Sequence, residues 1–159
     1  MIIAILPALT LISALSCGLV AGIFLAFSSF VMAALARVTP DQGIATMQQI
    51  NITVLNPLFL GLFMGMAVLS LVMCVIAIMR WHEAGSFYLL AGGVLYLGGT
   101  FLVTMLGNVP LNDTLAAMDP ASSAGLSLWQ DYLANWTTWN HVRTVASLLA
   151  AGVFTYALI

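Results

Sequence analysis

Four long apolar runs are the feature that most restricts what this chain can fold into. They cover about residues 2–36, 52–79, 86–107 and 142–159, and Arg143 in the last is the only charge in any of them. A helix that crosses a bilayer takes about 20 predominantly apolar residues. Barrel strands are about half that length and alternate in polarity, so runs this long predict helices. Composition agrees, because 63% of residues are hydrophobic and only 5% are charged, with no lysine. An ordinary soluble domain carries about 25% charged residues, and eight charges cannot cover an aqueous surface. The expected fold is all-α: a four-transmembrane-helix bundle forming one membrane-embedded domain over residues 1–159. A net charge of −2 offers no basic surface for nucleic acid or for polybasic lipid recognition; the bilayer itself is the first partner.

Cys17 and Cys74 lie inside apolar runs and read as small buried hydrophobes rather than a disulfide or metal framework. The stretch "LISALSC" has the look of a lipoprotein cleavage site. It lacks a basic segment before it, and the apolar run continues beyond Cys17, which favours a retained helix.

Three connections separate the runs. "RVTPDQGIATMQQIN" carries Pro40 and Gly43 and then a short helix. "RWHEAG" is a tight turn. The third is long and partly helical and joins helices 3 and 4; Asn112 or Asp113 is a candidate helix cap, and Pro120 precedes a new helix. From Leu126 onward Leu126, Trp129, Leu133 and Trp136 recur at helical spacing. Gly61 and Gly65 form a small-xxx-small pair of the kind that packs helices closely, so they are expected to face a neighbouring helix.

With four spans, both termini share a side with the "RWHEAG" turn. The polar residues Ser28, Ser29, Asn51, Asn56, Asn108, Asn112, Asn140, His141 and Arg143 then collect at the other end, from all four helices. Polar groups at the edge of a bilayer usually face a bundle interior or a water-filled cavity, so a pocket opening to that end is expected. Ordinary roles compete for each residue: Trp129, Trp136 and Trp139 also fit an interfacial aromatic belt, and Asn56-Pro57 also fits a helix start. Arg143 is hardest to explain away, because it sits inside the run and needs a carboxylate, carbonyls or a ligand.

His82 and His141 fall at opposite ends, and neither belongs to a metal-binding helical pair. No metal and no cofactor are expected, although haem held by His141 alone stays open. One histidine, one arginine, several amides and aromatic walls suit a planar aromatic ligand. His141 would act as base, and Arg143 would hold a developing oxyanion.

The segments "AFSSFVM", "IN" followed by "LNP", "GNVPLN" and "WTTWNHVRT" together resemble the anthrone oxygenase-like membrane protein family over nearly the whole chain. The resemblance implies four membrane helices and, in the characterised branch, cofactor-independent monooxygenase chemistry that takes anthrones to anthraquinones with O2. It also implies catalytic roles for His141 and Arg143 and ligand contacts for Asn51, Asn56, Asn108, Asn112, Trp139 and Asn140; Trp136 joins them as a ligand contact because helical spacing puts it on the stripe of Asn140 and Arg143. Ala33 stands where the family pattern places a proline, which bears on the local shape of the first span. Two other readings remain beside an oxygenase: a non-catalytic subunit of a membrane complex, and a haem, quinone or lipid binder. A homo-oligomer is compatible with all of them. The expected location is a bacterial inner membrane with both termini cytoplasmic, because Arg80 lies in the shortest connection.

Overall fold

A computed structural model describes residues 2–159, with side-chain surroundings from Ile5 onward. Among the described residues the chain is all-α, with no strand. Helix α1 (Ile2–Ala26) continues through a π-helical turn (Phe27–Val31) into α2 (Met32–Leu35). Helix α3 is Pro40–Thr53 and α4 is Pro57–Met79. Helix α5 (Ser86–Val94) runs through π-helical Leu95–Leu102 and Thr104–Asn108 into α6 (Val109–Ala116), and α7 is Ser123–Tyr156.

Three of these stretches are long and apolar enough to cross a membrane: Ile5–Leu35, Pro57–Met79 and Ser86–Ala116. Large side chains such as Leu15, Leu19, Val68, Leu71 and Ile78 stand exposed along them, as a lipid-facing surface requires. Helix α7 is not apolar enough by the same measure, because Asn140, His141 and Arg143 interrupt its hydrophobic half. It nevertheless packs lengthwise on α1 and against α5 and the Leu95–Leu102 segment. The turn at residues 80–85 shares a small cavity with Leu6, Pro7, Ala157 and Leu158. The start of α1, the end of α7 and that turn therefore occupy one end of the molecule, as the alternation of helices requires.

Local sequence explains the boundaries. Pro40 and Pro57 each sit in a first helical turn, where a missing N–H costs nothing. Asn56 caps α4, accepting from Phe59 N–H at 3.0 Å. Ser122 caps α7 in the same way through Gly125 N–H at 3.0 Å. Gly85 takes φ +85°, a left-handed conformation that suits a residue without Cβ.

Three expectations change. The third apolar run does not end at Gly107, because the helix continues through Pro110 to Ala116. A proline inside a helix normally breaks a hydrogen bond and clashes with the preceding turn. Here the π-helical turn Thr104–Asn108 lies directly before α6 and widens the backbone where relief is needed. The connection to α7 shrinks to residues 117–122, and Asn112 lies within α6 rather than capping it. At Ala33 the absent proline leaves an unbroken helix, with its irregularity placed earlier as the Phe27–Val31 turn.

The third correction concerns Gly61 and Gly65. A Cβ built on either meets nothing within 4 Å, so these glycines do not pack helices within this chain. Gly92, Gly93 and Gly99 do, against Phe154, Cys74 with the Ser70 carbonyl, and Ala146 respectively.

Two hydrophobic cores result. One lies along the spans and includes Phe24, Phe63, Met73, Tyr96 and Phe154. The other joins Met32, Leu35, Ile44, Met47, Leu115, Trp129, Tyr132 and Trp136. Helices α3, α6 and the first half of α7 thereby form a packed cap over the end of the bundle opposite the turn at residues 80–85.

Candidate functional site

Helix α7 carries one buried stripe: Trp129, Tyr132, Trp136, Asn140, Arg143, Ser147, Ala150 and Phe154. Steps of three and four residues keep these on one face. Where the cap meets the bundle, this stripe changes from aromatic to polar and then to small and apolar. A cavity of about 450 Å³ opens beside that change. Its walls are largely aromatic and aliphatic, with Phe24, Phe27, Phe59, Phe63 and Trp136 among them. Its polar lining includes Gln48, Asn51, Thr104, Asn112, Asp113 and Arg143.

Arg143 dominates the electrostatics. It is only 4% exposed. Its Nη2 donates to Asn140 Oδ1 at 2.7 Å and its Nη1 to Thr104 Oγ1 at 3.3 Å, while Nε has no partner. The guanidinium carbon lies 4.2 Å from the Phe24 ring centroid and 5.1 Å from that of Trp136. Such cation–π contacts stabilise a cation and leave its charge unneutralised. Among the described residues the one ion pair is Arg80 with Glu83, in the turn at the far end. Arg143 is thus a buried, planar, permanently charged donor with no carboxylate, facing a cavity. Buried charges are ordinarily paired, and an anionic group in the cavity would complete the pairing.

The amides do separate jobs. Asn140, wholly buried, lies behind Arg143 and ties it to the first span: its Nδ2 donates to Phe24 O and to Ser28 Oγ, each at 2.8 Å. The π-helical turn that holds Ser28 begins just after Phe24, and π-turns recur at functional sites. Asn108 braces α7 by donating to Trp136 O at 3.1 Å, and its Oδ1 is buried without a partner. Asn112 Oδ1 accepts from Tyr132 Oη and Trp136 Nε1, both at 2.8 Å, which fixes the indole as a cavity wall. Asn51 lines the cavity with a buried, unpartnered Nδ2, a second free donor.

The residues singled out in the sequence therefore divide. Asn51, Asn112, Trp136 and Arg143 come together on the cavity. Asn108 and Asn140 stand behind it. Asn56 is a helix cap and does not line the cavity. Trp139 is 44% exposed and lies against Gly107. His141 also does not line the cavity: its exposed ring turns outward, with Nδ1 2.9 Å from Ser28 Oγ. Sequence reasoning missed the walls Phe24, Phe27, Phe59 and Phe63, and Thr104. Phe59 and Phe63, four apart, stack at 5.7 Å, and that spacing was available as a signal. It also missed Asp113 as a lining carboxylate. No group of three or more histidine, cysteine or acidic side chains that could hold a metal ion occurs among the described residues.

Helix α3 covers the cavity as a lid. Gln48 Nε2 donates to Leu115 O and Met118 O, both at 2.9 Å, and so ties the lid to the end of α6. Gln48→Ala removes both bonds, each worth about 1 kcal/mol net. The expected result is faster amide hydrogen exchange across α3 than in wild type, with the exchange of α4 unchanged.

The family model described as anthrone oxygenase matches residues 58–153, well over half of the chain. No curated protein and no solved structure matches. The matched segment contains Arg143, Asn140, Thr104 and Trp136 and excludes α3, whose Asn51 also lines the cavity.

Proposed function

From the premise that the chain belongs to the anthrone oxygenase family, we propose that it binds a planar aromatic anion in the cap cavity and oxidises it with O2. Helix α7 completes the bundle as a fourth span in this reading. The observation that carries the proposal is the buried Arg143 guanidinium, unpaired with any carboxylate and aimed into an aromatic-walled cavity of about 450 Å³. That volume lies within the range of about 300–1,000 Å³ usual for small-molecule sites.

An anthrone suits these walls. Loss of one methylene proton gives an anion whose charge delocalises onto the ring oxygen. Arg143 and Asn51 supply N–H groups to that oxygen, placed before the reaction and shielded from water, where such donors act most strongly. Phe24, Phe27, Phe59 and Trp136 offer faces to the rings. Among the described residues Asp113 is the one carboxylate lining the cavity, and it is assigned as the proton acceptor. His141 lies on the outer side of α7 and takes no proton from a ligand in this site. The carbanion transfers one electron to O2, recombination of the radical with superoxide forms the C–O bond of a peroxide anion, and the proton held by Asp113 returns to it to give the hydroperoxide. Loss of the second methylene proton with cleavage of O–O gives the quinone carbonyl and water. One O2 is consumed for each anthrone oxidised.

Purified protein in lipid vesicles, given 1,8-dihydroxyanthrone, is expected to accelerate oxygen uptake and quinone formation in equal amounts above empty vesicles. Asp113→Asn is expected to slow both by about a hundredfold, the usual range for a general base being about 10²–10⁴. Uptake indistinguishable from empty vesicles would overturn the catalytic reading. Retained binding of the quinone under those conditions would favour a binding protein.

A further inference from the structure

We infer that His141 is a positioning residue: its Nδ1–H completes a hydrogen-bond chain through Ser28 and Asn140 that holds the Arg143 guanidinium toward the cavity. The inference rests on the reading of Arg143 as the anion clamp and gives a task to a histidine that the cavity does not use.

The protons available in this cluster leave one arrangement. Asn140 has its Oδ1 committed to Arg143 Nη2 and both hydrogens of Nδ2 committed to α1, at Phe24 O and Ser28 Oγ. Flipping this amide would turn donors toward a cation, so its orientation is fixed. Ser28 Oγ therefore accepts from Asn140. It also lies 3.1 Å from Thr144 Oγ1 and 2.9 Å from His141 Nδ1. Thr144 Oγ1 already donates its only proton to Asn140 O at 2.8 Å, so Ser28 must be the donor between the two hydroxyls. The Ser28 proton is then spent, and His141 Nδ1 must donate to Ser28 Oγ. In the other arrangement Ser28 donates to His141, no proton lies between Ser28 and Thr144, and one bond is lost. Every close contact in the cluster is satisfied only when Nδ1 carries hydrogen.

From the α1 side Arg143 also meets the Phe24 ring, and Asn140 is also held by Phe24 O, so the link through Ser28 is the tie that His141 controls. Its other hydrogen bond, to Thr104, is the longer one at 3.3 Å. Both helices that meet Arg143 do so beside π-helical turns, Phe27–Val31 on one side and Thr104–Asn108 on the other. His141 locks the first of these to α7 from outside through Ser28.

Amide substitutions separate this role from proton transfer. Asparagine at 141 places an N–H where imidazole Nδ1 lies, glutamine places one where Nε2 lies, and neither titrates. Two readouts are taken in lipid nanodiscs. The side-chain 15N signals of Arg143 are recorded without ligand, and the affinity for 1,8-dihydroxyanthraquinone is measured by absorption. His141→Asn is expected to keep the wild-type Arg143 signals and to bind within about twofold of wild type. His141→Gln and His141→Ala are expected to broaden the Arg143 signals and weaken binding about fivefold, the loss of roughly one hydrogen bond. Should Arg143 respond in this pattern while no protein binds the anthraquinone, the positioning role stands and the proposed function falls. The inference is overturned if His141→Asn behaves like His141→Ala, or if His141→Ala leaves the Arg143 signals unchanged.

Discussion

Arg143→Gln is expected to reduce anthrone-dependent oxygen uptake by about a hundred- to a thousandfold, the cost typical of removing a donor from an oxyanion site, while the protein still inserts and melts near the wild-type temperature. Stability should survive because, among the described residues, Arg143 has no carboxylate partner whose charge the change would strand. Breaking a buried pair is destabilising chiefly through the charge left behind. Glutamine can still reach toward Asn140, and the lost guanidinium removes a desolvation cost. Arg143→Lys should also fail. An ammonium is a point charge and cannot donate simultaneously to Asn140, to Thr104 and to a ligand in one plane. Uptake assays paired with thermal unfolding of both variants check this: wild-type rates would contradict it, and collapse of the fold would assign Arg143 a structural task.

Gly93→Leu should have the opposite profile, with the bundle lost and the site never assembled. A Cβ at Gly93 would lie 2.8 Å from the Ser70 carbonyl and against Cys74 Sγ. A backbone carbonyl cannot swing aside as a side chain can, so α4 and α5 must separate. Overpacking of a core commonly costs about 1–3 kcal/mol, and a whole leucine side chain in a helix–helix contact lies at or beyond the upper end. Gly65→Leu is the matched control, since a Cβ there meets nothing within 4 Å. Size-exclusion profiles and thermal melts should therefore separate the two: Gly93→Leu aggregated or melting far below wild type, Gly65→Leu unchanged.

The contrast between those glycines shows where sequence stops being informative. Gly61 and Gly65 form the recognisable spacing, yet α4 presents them outward. Gly92 and Gly93, which punctuate the third run without that spacing, carry the α4–α5 and α5–α7 contacts, as close helix packing leads one to expect of small residues. Hydropathy located three of the four expected spans as helices long and apolar enough to cross a membrane, but it could not set rotation about a helix axis in segments apolar all round. Helix α7 was the exception. Its mixture of aromatic, polar and small residues made the face legible, and Trp136, Asn140 and Arg143 fall on one stripe as a step of three or four residues requires. The same geometry, a turn of about 100° per residue, carries His141 away from the cavity, although it is adjacent in sequence to Asn140. The π-helical turns were not legible, since they depend on how two helices meet. They carry Ser28, which meets Asn140, and Thr104, which meets Arg143, and one of them lies directly before Pro110 in the third span. The cap was only half visible: the α3 helix could be read from Pro40 onward, but its docking on Trp129 and its Gln48 tie to α6 are tertiary.

The central claim is that the ligand's oxygen is held by Arg143, and the most direct test is a distance. The chain has three arginines, Arg37, Arg80 and Arg143, so 15N-labelled arginine gives few signals to assign. Solid-state NMR dipolar recoupling between these nitrogens and the 13C-labelled carbonyls of bound 1,8-dihydroxyanthraquinone reports which arginine the ligand touches. The expected result is coupling to Arg143 Nη at about 4 Å, the separation that an N–H···O=C hydrogen bond imposes, and its disappearance in Arg143→Gln. Coupling to Arg37 or Arg80, or bound ligand with no arginine coupling, would contradict the account.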